Sequence, residues 1–452
     1  MNRLQKKIFF IFLFFRVASF AQNEWTLEAC VDYALNHNLK LNGLQYNTSS
    51  NKESYRQSYR ELLPSVDANA SYFIQYGRSI DPNNNAIIST DFFSNTYALN
   101  ASIDIFQGFQ KLNKIAASKF LYKATQEAAS QEKYLVAFRV MSAFYDVQFL
   151  EGLIEISKKQ VEISQNNYNL VSKQIDLGLK AGADKYEAAS VLIGDKLIVT
   201  QNENKLKAAK LKLVQEMNLE NTSDISINTS TTHMLIEKKI HVIDADAIYN
   251  NALSFMPSIK AQEFRVKAAK KDVNVARGNL YPTLTLLAGY RTGYFETNVD
   301  DAGNVIPFKT QFSDNANQFI GLSLQIPITN KWRSRSEIKQ QKIILLQATN
   351  NLNIQKQELN KLIQELVQSY QATKVEYEQT QKNEAFRSVA FTVAQKKYDK
   401  GMISLLDLYQ SKNLYAKAQS ENLQVQLKLE VQKKTIDFYK GIAVFNINTI
   451  TQ

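Results

Sequence analysis

Apolar and polar residues alternate in four short stretches of this 452-residue chain. Every second position is apolar over about 66–76 and 96–106, and the apolar series in the second stretch runs from Tyr97 to Ile105. The same alternation recurs over about 283–294 and 318–326. Such alternation is typical of β-strands, and the polar segments inside each pair are rich in turn-forming residues. The pattern therefore predicts two β-hairpins with long loops.

Each predicted hairpin is followed by a much longer stretch with helical spacing. The stretches cover about 109–177 and 330–400, where glycine and proline are almost absent and, in the second, leucines recur every seven residues. A helix of about 70 residues is roughly 105 Å long, which is more than a globular domain requires. Each stretch ends at a glycine, Gly178 or Gly401, and a second helical stretch follows at once. We therefore predict two long helical hairpins.

This order of elements occurs twice. Pro64, before the first strand, is matched 218 residues later by Pro282, and Gly178 is matched 223 residues later by Gly401. The stretch from Trp25 to Leu63 has helical spacing and is predicted to form one helix, ended by Pro64. The predicted domains are a leader over 1–21, a first repeat over 22–220, an insertion over 221–243, a second repeat over 244–440 and a tail over 441–452.

The first residues have the pattern of an export signal. Three basic residues precede the eight apolar residues of Ile8–Phe15, a run too short to cross a bilayer. Ser19-Phe20-Ala21 fits a signal cleavage site, so the mature chain is predicted to start near Gln22. An N-terminal anchor helix is the alternative interpretation. No run of 18 apolar residues follows, which leaves a periplasmic protein, a secreted protein or an outer-membrane β-barrel.

Composition argues against several functional classes. The formal net charge is +11, but the basic residues are interleaved with Glu and Gln along helices, which does not favour nucleic-acid binding. Cys30 is the only cysteine, so no intrachain disulfide can form. The three histidines lie far from any metal-ligand spacing, and no catalytic motif is found. We therefore expect no enzyme activity, no cofactor, no metal site and no nucleic-acid partner.

The alternating strands fit a membrane barrel better than a soluble sandwich. They are about 10 residues long, which suits a tilted membrane span, and aromatic residues gather toward their loop ends. Two hairpins supply only four strands per chain, and open strand edges are not tolerated in lipid. Three chains would together supply about 12 strands, within the usual range for such barrels. The polar residues predicted to line the lumen are Asp67, Asn69, Asn100 and Asp104.

With these elements in place, the chain resembles the TolC-type outer-membrane efflux family. The resemblance rests on Trp25-Thr26-Leu27-Glu28-Ala29-Cys30, on the two strand entries at Pro64 and Pro282, and on the two glycine-to-aspartate turns, all in duplicated order. It implies an α+β membrane protein: a homotrimer with a 12-stranded outer-membrane β-barrel and a long periplasmic α-barrel. It further implies a passive exit duct of a tripartite efflux or type I secretion system. The implied partners are a periplasmic adaptor, an inner-membrane RND or ABC-type transporter, and outer-membrane lipid.

The resemblance also suggests which residues form the entrance of the duct. Tyr398 matches a family aromatic that hydrogen-bonds across the closed entrance, Asp184 matches its acidic partner, and Asp407 belongs to the second turn. Ile403 and Gln410 stand where the family has a basic latch residue and a second acid, which predicts a gate with fewer charged contacts. The turn residues expected to contact the adaptor are Gly178, Leu179, Lys180, Gly182, Gly401, Ile403 and Leu405.

Alternatives remain open on the sequence. Asp184 and Asp407 also suit the first turn of a helix, where negative charge is favourable, and Tyr398 also suits packing. An exported fibrous coiled coil or adhesin would explain the long helices, but not the strand hairpins in register with them. A general porin would need many more strands per chain. The cargo is not disclosed, since drugs, metal ions and polypeptides would all be compatible with such a duct.

Overall fold

The computed structural model describes residues 25–81, 85–220, 225–228 and 243–445. The predicted leader over 1–21 lies outside the described residues, as do most of the insertion and the end of the tail. Two compact units are present. The helical unit comprises Met1–Gly43, Ala129–Met256 and Lys356–Gln452, and the sheet unit comprises Leu44–Ala128 and Pro257–Gln355. No helix in the described ranges is long and apolar enough to cross a membrane.

The described elements follow the same order in both halves of the chain. The first half contains α1 (Leu27–His37), α2 (Leu39–Arg60), β1 (Ser65–Gln75), β2 (Ser79–Ile80), β3 (Ile87–Ile88), β4 (Phe92–Gln107), α3 (Gln110–Asp176) and α4 (Gly182–Met217). The second half contains α5 (Ala245–Phe255), α6 (Pro257–Gly278), β5 (Thr283–Phe295), α7 (Phe308–Asp314), β6 (Asn317–Gln325), α8 (Arg333–Asp399) and α9 (Leu405–Tyr439). Helices α3 and α8 both have 67 residues.

In the sheet unit, four strands form one antiparallel sheet in the order β1-β4-β5-β6, and β2 pairs with β3 in a separate two-stranded sheet. One face is apolar and exposed, and Ile320 and Leu322 on it are 77% and 65% exposed. Alternation holds along β4 up to Asp104, where a bulge shifts the register and places Phe106 opposite Leu284. Ile105 has no partner in β5, so the predicted alternation is interrupted at this residue by the bulge.

The stretch from Trp25 to Leu63 forms two helices rather than the single helix predicted. The chain becomes extended at Asn38 (φ −69°, ψ 117°), and the Asn38 side-chain oxygen accepts a hydrogen bond of 3.1 Å from the Leu41 N–H. Asparagine is a favoured N-cap because its side chain satisfies a free N–H of the next helix. Met256, 218 residues later, makes the equivalent break directly before Pro257.

The core of the helical unit lies where α1 packs on α3 and α4. Cys30 and Ala34 are fully buried there, and burial raises the pKa of the Cys30 thiol to about 12. The cysteine is therefore a small packed side chain rather than a reactive one. In the described part of the insertion, Ile227 is buried and pairs with Trp25 in an isolated parallel bridge.

Aromatic rings contact one another at the loop end of the sheet. Tyr72, Phe93, Tyr294 and Phe308 form a series with centroid separations of 5.6, 5.2 and 5.8 Å. Phe308 begins α7, which the sequence pattern did not predict because seven residues are too few to show a period. Gln311, also in α7 and 1% exposed, accepts from the Phe295 N–H at 3.0 Å and so fixes α7 to β5.

Two junctions between strand and helix have an unusual backbone. Gly108 and Phe109 have φ values of +56° and +60°, and Lys331 and Trp332, 223 residues later, have +56° and +63°. At Gly108 a Cβ atom would lie 2.4 Å from the carbonyl oxygen of Gly278. The end of α6 therefore approaches this turn too closely for any side chain at Gly108.

Gly108→Ala is expected to destabilise the protein by about 2 kcal/mol or more, because it adds backbone strain and a clash with a carbonyl. Gly43→Ala is the matched control: Gly43 lies in α2 with open space around its Cβ position. That change should stabilise by about 0.5–1 kcal/mol. Thermal unfolding of both variants in detergent would test the pair. Equal melting temperatures would contradict the close approach.

Candidate functional site at the two glycine turns

Both long helices end in the same hydrogen-bonded turn. At the first, the Gly178 N–H donates to the Ile175 carbonyl and the Leu179 N–H to the Gln174 carbonyl, both at 2.8 Å. The second has the equivalent bonds from Gly401 to Tyr398 (2.8 Å) and from Met402 to Lys397 (2.9 Å). Gly178 and Gly401 have φ values of +71° and +73°, a conformation that favours glycine. The turns therefore reverse the chain without strain.

The return helices begin differently in the two repeats. Helix α4 starts after Ala181, which offers no side-chain cap, whereas α9 starts after Ser404, whose hydroxyl accepts from the Asp407 N–H at 3.2 Å. The Asp407 carboxylate accepts in turn from the Ser404 N–H at 3.1 Å, which completes a capping box. Asp184 lies in the first turn of α4 and is partly exposed. The second turn is thus the more firmly fixed of the two.

The capping box makes the second turn sensitive to acid. Hydrogen bonds from Ser404 hold the pKa of Asp407 below its usual value of 3.8. Because the folded-state pKa is the lower one, this stabilisation is fully present above pH 3.8 and is lost as the pH falls through the lowered pKa.

Tyr398 joins the two turns within the helical unit. It is 6% exposed and packs in an apolar cluster with Val171, Ala188, Leu405 and Leu408. Its hydroxyl accepts a hydrogen bond of 3.1 Å from the Lys180 ammonium, which also lies 4.9 Å from the centre of the ring. The hydroxyl of Tyr398 is therefore held by Lys180 of the same chain. The pairing of Tyr398 with Asp184 stays a prediction.

A buried ion pair lies further along the same helices. Lys412 of α9 is fully buried and forms a salt bridge with Asp195 of α4. Ser164 of α3 donates to the Asp195 carboxylate and accepts from Lys412 at 2.8 Å. Burial lowers the pKa of Lys412, while the Asp195 carboxylate opposes that shift. One charged group thus connects the first helical hairpin to the second.

Sequence reasoning missed this ion pair, although a signal was present. Lys412 follows Leu405, Leu408 and Tyr409 at helical spacing, and all three of those residues are buried. A charged residue on an apolar helix face needs a buried partner of opposite charge. The presence of Lys412 on this apolar helix face could therefore have been used to predict a buried carboxylate on a neighbouring helix.

The four residues predicted to line a lumen share the polar face of the sheet. Asn100 lies opposite Asp67 and donates to its carboxylate at 3.2 Å, and Asn69 accepts from Ser71 at 3.0 Å. Asp104 accepts from the Thr285 hydroxyl at 2.9 Å and forms a salt bridge of 3.0 Å with Lys111. On this polar face Asp67 and Asn69 are exposed, and Asn100 and Asp104 are half-buried. No group of acids, histidines or cysteines in the described ranges is placed to hold a metal ion.

Removing the buried ammonium should be costly. Lys412→Ala leaves Asp195 charged and buried, so we expect a loss of about 3–5 kcal/mol in unfolding free energy. Lys417→Ala, which removes an exposed pair with Glu421 on the same helix, should change stability by less than about 0.5 kcal/mol. Thermal unfolding would rank the variants. The double variant Lys412→Met with Asp195→Leu should recover most of the loss, and a failure of Lys412→Ala to melt below Lys417→Ala would contradict the assignment.

The sequence matches the outer membrane efflux protein family over residues 30–218 and 248–441. Outer membrane efflux protein BepC of Brucella suis biovar 1 is 22% identical over 250 residues, 55% of this chain and 51% of that protein. Probable efflux pump outer membrane protein TtgC of Pseudomonas putida is 20% identical over 270 residues, 58% of this chain and 53% of that protein. The chain spans about half the length of these curated relatives.

Solved structures match over nearly the whole chain. The outer membrane protein VceC from Vibrio cholerae has a TM-score of 0.77 at 16% identity, covering 92% of this chain and 96% of that one. CusC, described in terms of transmembrane channel formation, has a TM-score of 0.78 at 17% identity, covering 94% and 93%. These likenesses show the predicted TolC-like fold, and an efflux family agrees with the prediction that the chain is not an enzyme. Since the family match includes both repeats, this chain belongs to the outer membrane efflux protein family.

Proposed function

We propose that this chain is the outer-membrane exit duct of an export system, through which substrates delivered by an inner-membrane transporter pass passively. The observation that carries the proposal is the sheet, which has an exposed apolar face, a polar face and two edge strands. Backbone groups at a strand edge have no water partner in lipid, so β1 and β6 need further strands. Two neighbouring copies would supply them, and three chains would close a barrel of about 12 strands.

The separation of apolar and polar side chains onto opposite faces of the sheet supports a water-filled lumen. Apolar side chains such as Leu99, Leu286 and Leu322 lie on one face of the paired strands. Asp67, Asn69, Asn100 and Asp104 lie on the other face, so these four residues are proposed to line the lumen. Outer-membrane barrels have an apolar outer band and a polar interior. The predicted leader agrees with export to the outer membrane, and the family match gives no support to the fibrous adhesin alternative.

The two glycine turns are proposed as the periplasmic entrance and the adaptor contact. Leu179 and Leu406 are exposed there, at 71% and 66%, and both would be available to a partner protein. The partners proposed are a periplasmic adaptor and an inner-membrane RND or ABC-type transporter. The relatives BepC and TtgC are described as efflux proteins, which supports this assignment.

The proposed gate comprises Tyr398, Asp184 and Asp407, together with Lys180. The Lys180–Tyr398 hydrogen bond holds the two turns of one chain together. Ile403 packs against the Tyr398 cluster, so this position contributes apolar contact rather than charge. Closure in this chain would therefore depend more on packing and on the hydrogen bond of the Tyr398 hydroxyl than on ion pairs.

Cysteines on the two edge strands should link neighbouring copies. In a Cys30→Ala background, Ser65→Cys in β1 with Ser323→Cys in β6 is expected to give covalent dimers and trimers with a short bifunctional thiol reagent. As a control, Ser102 and Leu287 are directly paired across the central strands β4 and β5. The variant with Ser102→Cys and Leu287→Cys should therefore be linked only within one chain. Gel mobility without heating and conductance in planar bilayers would complete the test. Monomers alone in the edge-strand variant, while the control pair is linked within its chain, would contradict the proposed trimer.

Weakening the contacts of Tyr398 should open the channel. Tyr398→Phe with Asp184→Ala, or Lys180→Ala alone, is expected to raise single-channel conductance in planar bilayers. Loss of one hydrogen bond of about 1 kcal/mol would shift the closed–open balance by roughly fivefold. Tyr186→Phe is the control, since Tyr186 is 79% exposed on the same helix as Asp184. Unchanged conductance in the first two variants would remove these residues from the gate.

A further inference from the structure

A cavity of about 530 Å³ lies in the helical unit, between α3, α4 and α9. Its apolar walls are formed by Leu153 and Ile156 of α3, Val191 and Ile198 of α4, and Ala416 of α9. Sites for small organic molecules have volumes of roughly 300–1,000 Å³, whereas a water molecule takes up only about 30 Å³ in the liquid. We call this space the three-helix cavity. It is large enough for a small organic molecule.

One buried polar atom at the wall of the three-helix cavity lacks a partner. Gln160 of α3 lines the cavity and is 7% exposed. Its side-chain carbonyl oxygen has no hydrogen-bond donor within the described part of the chain. Buried polar groups are nearly always hydrogen-bonded, because an unpaired acceptor gives up water without replacing it. The Gln160 oxygen therefore needs an O–H or N–H donor from outside these helices.

The other buried polar side chains that line the cavity already have partners. The Asn202 amide donates a hydrogen bond of 2.8 Å to the Ser157 hydroxyl. The Asp195 carboxylate is paired with the ammonium of Lys412, which is fully buried behind it. Because these two charges balance, a charged ligand would find no opposite net charge in the cavity. A neutral molecule with one donor can still bond to Gln160.

A glycine in the middle of α4 leaves part of this space open. Gly194 lines the cavity, and among the described residues no atom outside its own stretch of helix lies within 4 Å of a Cβ built there. A glycine inside a helix is less favourable than an alanine, and no close approach requires one at this position. The missing side chain instead adds volume to the cavity.

We propose that the three-helix cavity binds a neutral amphipathic molecule, with its apolar body against Leu153, Ile156 and Ile198 and one O–H or N–H donor on the Gln160 carbonyl oxygen. This site goes beyond the proposed duct, since its residues belong neither to the two glycine turns nor to the lumen. The cavity is lined by both helices of the first hairpin and by α9 of the second. A bound molecule would therefore contact both hairpins and stabilise their association.

Two probes that differ by a single donor can test this site. 2-Naphthol and naphthalene share an apolar body, but only 2-naphthol has a hydroxyl group, which is uncharged at neutral pH. The full-length protein in detergent would be titrated with each probe by equilibrium dialysis, and uptake by protein-free micelles would be subtracted. The unaltered chain is expected to bind 2-naphthol saturably, with one molecule per chain.

Variants of the cavity wall separate the polar contact from the available volume. Gln160→Leu keeps a similar volume but removes the acceptor, so it should weaken 2-naphthol binding about fivefold without weakening naphthalene binding. Gly194→Leu fills the cavity and should abolish saturable binding of both probes. Leu197→Ala is the matched control, because Leu197 is 56% exposed on the same helix and does not line the cavity. Where Gly194→Leu does not fold, judged by circular dichroism, Val191→Phe fills the cavity instead.

Two results would overturn the proposal. If binding does not saturate, or is equal in the unaltered chain and in the folded variant with a filled cavity, the cavity holds only solvent. If Gln160→Leu leaves the affinity for 2-naphthol unchanged, or weakens both probes equally, the Gln160 oxygen does not recognise a donor. Neither result bears on the proposed duct, which conductance in planar bilayers tests separately.

Discussion

The unpaired backbone groups of the edge strands are the constraint on which the rest of this structure depends. Strands β1 and β6 each have one side without a partner strand in the sheet. In water such edges are tolerable, but in lipid each free N–H or C=O is costly. The proposed trimer removes the edges by placing every β6 beside the β1 of another copy. This closure accounts for the apolar outer face and the polar inner face of the sheet, and for the need for several identical chains.

The elements predicted from the sequence are those that rest on long-range repetition. Alternation placed four strands, and the near absence of glycine and proline placed two long helices, because both signals extend over many residues. The differences between the predicted and the observed elements are local. Asn38 interrupts a helical pattern with one side-chain hydrogen bond, and Ile105 leaves the register at one bulge. Helix α7 is fixed by Gln311, which no periodicity could show.

The candidate site likewise has features that the sequence predicted and features that it did not. The two glycine turns were predictable because each long helical pattern ends at a glycine, the residue that best adopts the positive φ common at helix C-termini. The partners of individual side chains were not, since Lys180 and Tyr398 are 218 residues apart and meet only in the folded chain. The Lys412–Asp195 pair was hidden for a related reason. A single lysine in an amphipathic helix is usually solvated, and only its neighbours at helical spacing indicated otherwise.

The two separations between the repeats have a consequence for how this chain can change in evolution. Asn38 and Met256 are 218 residues apart, as are Pro64 and Pro282, but Gly108 and Lys331, and later Gly178 and Gly401, are 223 apart. The extra five residues therefore lie in the hairpin, and its connections cover 76–91 in one repeat and 296–316 in the other. Adding one residue inside a helix would rotate all that follows by about 100°. The hairpin loops can therefore accept insertions and deletions, whereas the two long helices must keep the same length of 67 residues.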